Sequence, residues 1–404
     1  MKFFINSYFG DNQSIGLLSH IKKRLPYGMD DQWMVFSHYT ERGWTVDNLW
    51  HIFTDFYGGQ YAPLAFLSYL VLYAGFGYDP FYFHMFSLLL HIGCVCLVWK
   101  LISSLLRVHG GVSEKQILYV NFITTLLFAV HPINVEAVAW ISALKVLLYA
   151  FFYLLGLLCY LRYIRTSKIF YYVLTIGCFL CSFWGKEQAV TFPLALLIVD
   201  WFTNRNMKNL EVWSEKMSFL IMAFFFGIIT VLSQGKGPYE MIFPLYQRLL
   251  FGCFALVEYI TKSLLPVNLN FFYPFPIVLG EEPPLHYYLY PVVLLFLMGW
   301  IIAYRNNRYL VFGVLLFLVN FLFSIHLFNM SRHAIVADRY MYLSYVGIAF
   351  LIANGIWWLR KRLSYFKAAL VFLFFYCFFL SVYTFHYTKK CENTTMVKKY
   401  TKEV

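Results

Sequence analysis

The sequence predicts an all-α polytopic membrane protein of about ten or eleven transmembrane helices, with interfacial helices on one face. Three observations lead there. The 404 residues are 61% hydrophobic and only 13% charged, whereas soluble domains carry roughly 25% charge. Apolar runs of about 20 residues recur along the chain, each long enough to cross a bilayer as a helix. Backbone in lipid must satisfy its own hydrogen bonds, which leaves helices as the spanning element for such runs.

Taken in order, the apolar runs lie at 81–106, 117–135, 142–164, 168–185, 187–203, 216–234, 288–304, 309–328, 335–358 and 365–387. Residues 61–76 are apolar but bounded by Pro63 and Gly75, which suits a helix lying along the membrane. Segment 241–266 is apolar too, yet "PLYQRLLFG" and "EYITKSLL" place charges within it. An eleventh span, a re-entrant piece and an interfacial helix all fit that pattern. The opening "MKFFINSYFGDNQSIG" is broken by polar residues before the apolar core of a signal peptide can form. Three segments result: an external segment over 1–80, a transmembrane domain over 81–387 and a short basic tail over 388–404.

The net charge of +12 would suggest nucleic acid in a soluble protein. Here much of the Lys and Arg falls in short loops, where it sets topology, and no nucleic-acid partner is expected. Arg107 and Lys115, then Arg162, Arg165 and Lys168, then Arg205, Lys208 and Lys216 follow alternate spans, so all share one side, taken as cytoplasmic. Arg305, Arg308, Arg360, Lys361, Arg362 and Lys367 join them if 241–266 does not cross. The loop 267–287, which has no Lys or Arg, then lies outside with residues 1–80, the loop near 131–145, the corner at 185–187 and the segment 329–339. Of the eight Cys, most sit inside apolar runs, and no CxxC pair has a matching second half. That excludes the usual zinc and disulfide frameworks and leaves packing as their role.

Four ionisable groups of residues fall on the outer side. "PYGMDDQWMVFSHYTERGW", residues 26–44, sets Asp30 beside Asp31 in an aromatic segment. A general base for a hydroxyl needs a partly desolvated carboxylate within hydrogen-bond reach; a plain Asx turn would use the same residues. "FAVHPINVEAVAWISALK", residues 128–145, breaks a helix at His131-Pro132 and then spaces Glu136, Trp140 and Lys145 near-helically, so they can share a face. An ordinary capped turn between helices is the alternative. Lys186-Glu187 joins two spans with almost no loop, which also suits an internal ion pair. "MSRHAIVADRYMYLSYVG", residues 330–347, opens a span with Arg332, His333, Asp338 and Arg339. An arginine fork matches phosphate, and a structural Asp338–Arg339 interaction is the competing reading. His84 and His91, seven apart on one helix face, suit helix-packing hydrogen bonds better than a metal.

"FTDFYGGQYAPLAFLSYL", "GYDPFYFHMFSLLLH", "LLFAVHPINVEAVAWIS", "GKEQAVTFPLALLIVDW" and "VADRYMYLSYVG" occur in this order between about residues 28 and 356. Together they resemble the membrane domain of the transmembrane-and-TPR protein O-mannosyltransferases, with bacterial relatives nearest. The resemblance implies a GT-C-like helical bundle and a glycosyltransferase that uses a polyprenyl-phosphate sugar. By that likeness Asp30 or Asp31 is the base that activates an acceptor hydroxyl in an inverting displacement. Arg339, helped by Lys145 and Lys186, meets the donor phosphate. His131, Glu136, Glu187, Trp140 and Asp338 shape the sugar and acceptor pocket.

The implied partners are the polyprenyl-phosphate donor, an acceptor protein or glycan, and membrane lipids. No cofactor is implied, and a divalent metal is not indicated. The implied location is a bacterial inner membrane with the site facing the exterior. Three departures accompany the likeness: residues 1–28 contain no span ahead of the acidic pair, Lys145 is followed by Val146 instead of an acid, and only about 17 residues follow 387, so acceptor recognition by repeats is not expected. The alternatives are a catalytically degenerate member that binds lipid-linked sugar or scaffolds a partner, and a lipid-linked glycan flippase or polymerase.

Overall fold

The computed structural model describes residues 34–234, 243–271, 273–322 and 334–392. Asp30, Asp31, Arg332 and His333 lie outside the described residues. The helices in chain order are α1 (His38–Glu41), α2 (Val46–Thr54), α3 (Pro63–Phe76), α4 (Pro80–His109), α5 (Glu114–Val130), α6 (Val135–Ala139), α7 (Leu144–Thr166) and α8 (Ile169–Gly185). They continue with α9 (Phe192–Phe202), α10 (Leu210–Gln234), α11 (Leu245–Leu264), α12 (Leu289–Ala303), α13 (Arg308–Phe321), α14 (Tyr345–Trp358) and α15 (Leu363–Glu392). Only isolated bridges occur beside them among the described residues, so the chain is an all-α polytopic bundle, as its composition requires.

The chain is an integral membrane protein, but among the described residues its long helices are fewer than its apolar runs. Five helical segments among them are at least 18 residues long and apolar enough to cross: Pro80–His109, Ile141–Thr166, Leu210–Ser233, Leu285–Ala303 and Leu363–Lys389. The bent pair Glu114–Val130 and Pro132–Ala139 makes a sixth if it counts as one span. The expected ten or eleven fall short because several runs are cut by tight turns. The run 187–203 divides into a 3-10 turn, Glu187–Thr191, and the 11 residues of α9. A helix of that length rises only about 16 Å, against roughly 30 Å of hydrocarbon. The run 335–358 likewise divides into the 3-10 turn Asp338–Met341 and the 14 residues of α14. Helix α11 carries Arg248, Glu258 and Lys262 and is not among the crossing helices, in keeping with its non-crossing reading.

Helix α7 is the centre of the bundle. Its face holds Tyr149, Tyr153 and Tyr160, all fully buried. A buried phenol needs a hydrogen-bond partner, and each of these finds one on a different element. Tyr149 donates to Asn320 of α13 at 3.3 Å, Tyr153 pairs with Thr191 at 3.4 Å, and Tyr160 donates to Asp200 of α9 at 2.8 Å. At that last position four charges close one end of the bundle. Arg205 holds Glu215 through both terminal nitrogens, at 2.6 and 2.9 Å, and Asp200 at 3.2 Å. Lys216, fully buried, contacts Asp200 and donates to Tyr160. Arg205 and Lys216 are therefore paired with acids at this end, while Lys208 takes no part in the cluster. His91 serves packing as expected: its Nδ1 lies 2.7 Å from the Tyr342 hydroxyl.

Helices α13 and α14 approach through two glycines. A Cβ at Gly347 would lie 2.5 Å from the Gly313 carbonyl oxygen and 2.7 Å from the Phe317 amide nitrogen. Backbone atoms cannot swing aside, so the helices must separate. Small residues permit this kind of close helix contact in membranes. Gly347→Ala should lower the melting temperature in detergent, with an overpacking cost of about 1–3 kcal/mol. Gly355→Ala on the same helix, where a Cβ meets nothing within 4 Å, should leave it unchanged or raised. Equal melting temperatures for the two variants would refute the contact.

Candidate functional site

The end of the bundle opposite Asp200 is built from interrupted helices. Proline at 132 lacks an amide and cannot continue α5, so the chain bends by 51° into the turn Pro132–Asn134 and α6. His131 caps the break, its Nδ1 accepting from the Ile133 amide at 3.2 Å. Asn134 closes it from the other side, donating to the Phe128 carbonyl at 2.7 Å. The His131 ring packs on Tyr345, with centroids 4.2 Å apart. Helix α6 then lasts five residues, and their effect is to fix Glu136, which has no exposed surface.

The partner of Glu136 arrives on the turn before α14. Tyr259 of α11 clamps Ala337 in extended conformation, donating to its carbonyl at 2.9 Å and accepting from its amide at 2.7 Å. Ile335 adds a bond to the Tyr273 carbonyl at 2.9 Å. The next residues are thereby presented to α6. The Arg339 amide donates to Glu136 Oε2 at 2.7 Å, and its Nη1 donates to Glu136 Oε1. The guanidinium lies 5.0 Å from the Trp140 ring centre and 5.1 Å from that of Tyr340. Lys186, at the extended corner after α8, places its Nζ 4.5 Å from the Tyr340 ring centre as well. Tyr340 thus packs beside two cations. The Arg339 side chain keeps 19% exposure while Lys186 is buried, so the guanidinium is the surface-accessible charge of the two.

Asp338 turns away from Arg339, against the direct interaction its position in sequence suggests. It accepts from the Tyr273 hydroxyl at 3.1 and 3.2 Å and faces Lys262 Nζ at 3.8 Å. Lys262 stands 3.3 Å over the Tyr273 ring and 3.6 Å from Glu258 one turn earlier on α11. Burial pushes the Asp338 carboxyl above the usual range; the Lys262 charge opposes this and the Glu136 charge adds to it. Burial likewise holds the Lys262 ammonium below its ordinary value, with Asp338 and Glu258 acting against it.

The structure therefore brings Glu136, Trp140, Asp338, Arg339 and Lys186 into one constellation, with His131 in its wall. Glu187 is half-buried and opens the 3-10 turn beside Lys186. Lys145 meets the N-terminal segment: its Nζ donates to Gln60 Oε1 at 2.5 Å and lies 3.7 Å from Met34 Sδ. It belongs to the contact between α7 and the N-terminal segment, where Tyr69 of α3 also donates to the Ile141 carbonyl at 2.9 Å. Sequence reasoning missed Lys262, Tyr273 and Tyr259. The signal for Lys262 was present in "EYITKSLL", where Glu258 and Lys262 fall one turn apart in an apolar helix.

Removing one member of a buried pair strands the other charge, at about 3–5 kcal/mol, whereas replacing both is often nearly neutral. Lys262→Met should therefore lower thermal stability sharply by leaving Asp338 beside Glu136. Lys262→Met combined with Asp338→Asn should recover much of the loss. Additive melting-temperature losses across the four proteins of this cycle would show that the two charges are not coupled.

Comparison with known proteins finds distant homology to membrane O-mannosyl-transferases. The chain is 33% identical over 189 residues to Protein O-mannosyl-transferase TMTC2 of Homo sapiens, which covers 43% of this chain and 21% of that protein. It is 31% identical over 167 residues to Protein O-mannosyl-transferase TMTC4 of Homo sapiens, covering 36% and 22%. With Protein O-mannosyl-transferase Tmtc3 of Drosophila melanogaster it shares 28% identity over 172 residues, covering 38% and 18%. The matched region spans about a fifth of the length of these relatives. No family model matches the chain, and no solved structure matches it.

Proposed function

We propose that this chain is a GT-C-type glycosyltransferase that moves a sugar from a polyprenyl-phosphate donor to an acceptor hydroxyl on the outer face of the membrane. The observation that carries the reading is the held guanidinium of Arg339. Glu136 fixes it from within and Trp140 flanks it, while the side chain stays partly exposed at the end of the bundle. A leaving phosphate gains negative charge as the glycosidic bond breaks, and a donor already held in place stabilises that charge without reorganising. Lys186, across Tyr340, adds a second positive charge. The similarity to O-mannosyl-transferases supports a mannosyl donor as the first to test.

In this reading Asp30 or Asp31 takes the proton of the acceptor hydroxyl, and the oxygen attacks the anomeric carbon opposite the leaving phosphate. One inverting displacement results, with oxocarbenium character at the sugar. The cations support a membrane orientation. Arg107, Lys115, Arg162, Arg165, Lys168 and Lys208 sit at the helix ends opposite Arg339, which favours an exterior site, in a bacterium the periplasmic face.

The test is transfer from a panel of labelled polyprenyl-phosphate sugars by the reconstituted full chain. Arg339→Ala should lower turnover about 100-fold, as loss of one transition-state donor does, and Arg339→Lys should recover part of it. At least one of Asp30→Asn and Asp31→Asn should lose about 100-fold or more, the usual contribution of a general base. Full activity in both aspartate variants would remove the base assignment. Failure of every donor, with a donor analogue still bound, would instead favour a binding or scaffolding protein.

A further inference from the structure

At the opposite end of the bundle, α4 and α5 enclose a groove of ≈ 380 Å³ that the proposed reaction does not use. Its upper rim carries Arg107, from the last turn of α4, and Lys115, from the first turn of α5. Its lower wall carries Trp99 and Leu118, both exposed. Trp99 lies eight residues before Arg107, about 12 Å further along the helix axis. The groove therefore runs from a cationic helix end down an apolar helix face. Asn121 also lines it, about 9 Å along the axis from Lys115. That residue is 1% exposed, and its Oδ1 receives no hydrogen bond. A polar amide buried in an apolar wall costs free energy unless a partner meets it.

We propose that this groove binds one phospholipid with an anionic headgroup. Its phosphate lies between Arg107 and Lys115, an ester carbonyl of its glycerol region accepts from the Asn121 amide nitrogen, and an acyl chain runs along Trp99 and Leu118. The charges fit. Glu114, the acid on the rim, pairs with Arg107 at 3.3 Å, but both side chains are more than half exposed. Such surface pairs are weak, so the guanidinium can turn to a phosphate and exchange one exposed contact for another. A free phosphate would use the rim and leave the apolar wall unmatched. A lipid satisfies both.

The probes are phosphatidylglycerol and phosphatidylcholine carrying a diazirine on one acyl chain, each added to phosphatidylcholine vesicles holding the full chain. Peptide mass spectrometry reads the labelled positions. The phosphatidylglycerol probe should label the Trp99 and Leu118 walls at least fivefold more than the phosphatidylcholine probe, since each basic residue near a membrane surface contributes about a fivefold preference for anionic lipid. Arg107→Gln with Lys115→Gln should remove that preference while labelling of α12, a helix with no buried residue, stays constant and reports an intact fold. An excess of inorganic phosphate should not compete. Equal labelling by the two probes, a preference that survives the double variant, or displacement by phosphate alone would each overturn the proposal.

Discussion

A carboxylate with no access to water is the constraint around which the site end of this bundle is arranged. Taking Glu136 out of water costs several kcal/mol, and attraction to a partner offsets that only when geometry is good and the oxygens are hydrogen-bonded. Arg339 meets both conditions, with its amide on one oxygen and its guanidinium on the other. The requirement then passes outward. The amide can reach Glu136 only because Ala337 is held extended by Tyr259, and the guanidinium is steadied by the rings of Trp140 and Tyr340. Two helix breaks, at Pro132 and before α14, exist in forms that let these groups meet.

Those breaks also explain why the site is at one end. Non-helical backbone near a membrane must find partners within the protein. At the Asp200 end the chain reverses through loops and the single 3-10 turn Leu359–Lys361 among the described residues. At the other end it uses 3-10 turns at Pro132–Asn134, Ile141–Ala143, Glu187–Thr191 and Asp338–Met341. The partners are side chains: His131 and Asn134 for the first turn, Tyr69 for the second, Tyr259 for the residue before the last. Polar side chains recruited to satisfy backbone accumulate there, and chemistry needs such groups in the same place.

Much of this was legible in the sequence. The Pro132 break and the spacing of Glu136 and Trp140 were readable because proline geometry and helical periodicity act locally. The Glu136–Arg339 bond was not, since 203 residues separate its members. The competing reading of Asp338, a direct interaction with its neighbour Arg339, rested on proximity in sequence, but a tight turn sends adjacent side chains in different directions. Helix lengths were hidden for a related reason: hydropathy marks apolar runs without locating the 3-10 turns that shorten them, as at Glu187–Thr191. Lys262 was read as evidence about topology because its partners, Tyr273 and Asp338, lie on other segments. The acidic pair at Asp30 and Asp31 precedes the described residues.

The two charge clusters of the bundle differ in how their cations are held. At the Asp200 end, Arg205 and Lys216 are met by the carboxylates of Asp200 and Glu215, so positive charge is cancelled where it sits. At the other end Lys186 lies against Tyr340 and Arg339 against Trp140 and Tyr340, while Lys262 sits over Tyr273 and also faces Glu258 and Asp338. An aromatic face attracts a cation through its quadrupole without cancelling the charge. A carboxylate–cation pair presents a dipole to an incoming anion; a cation on a ring still presents a charge. Arg339 combines the two modes. Its carboxylate fixes direction, its rings hold the plane, and its partial exposure leaves the group in reach of a ligand. That combination suits an anion that arrives, reacts and leaves, whereas the Asp200 cluster suits helices that must not move.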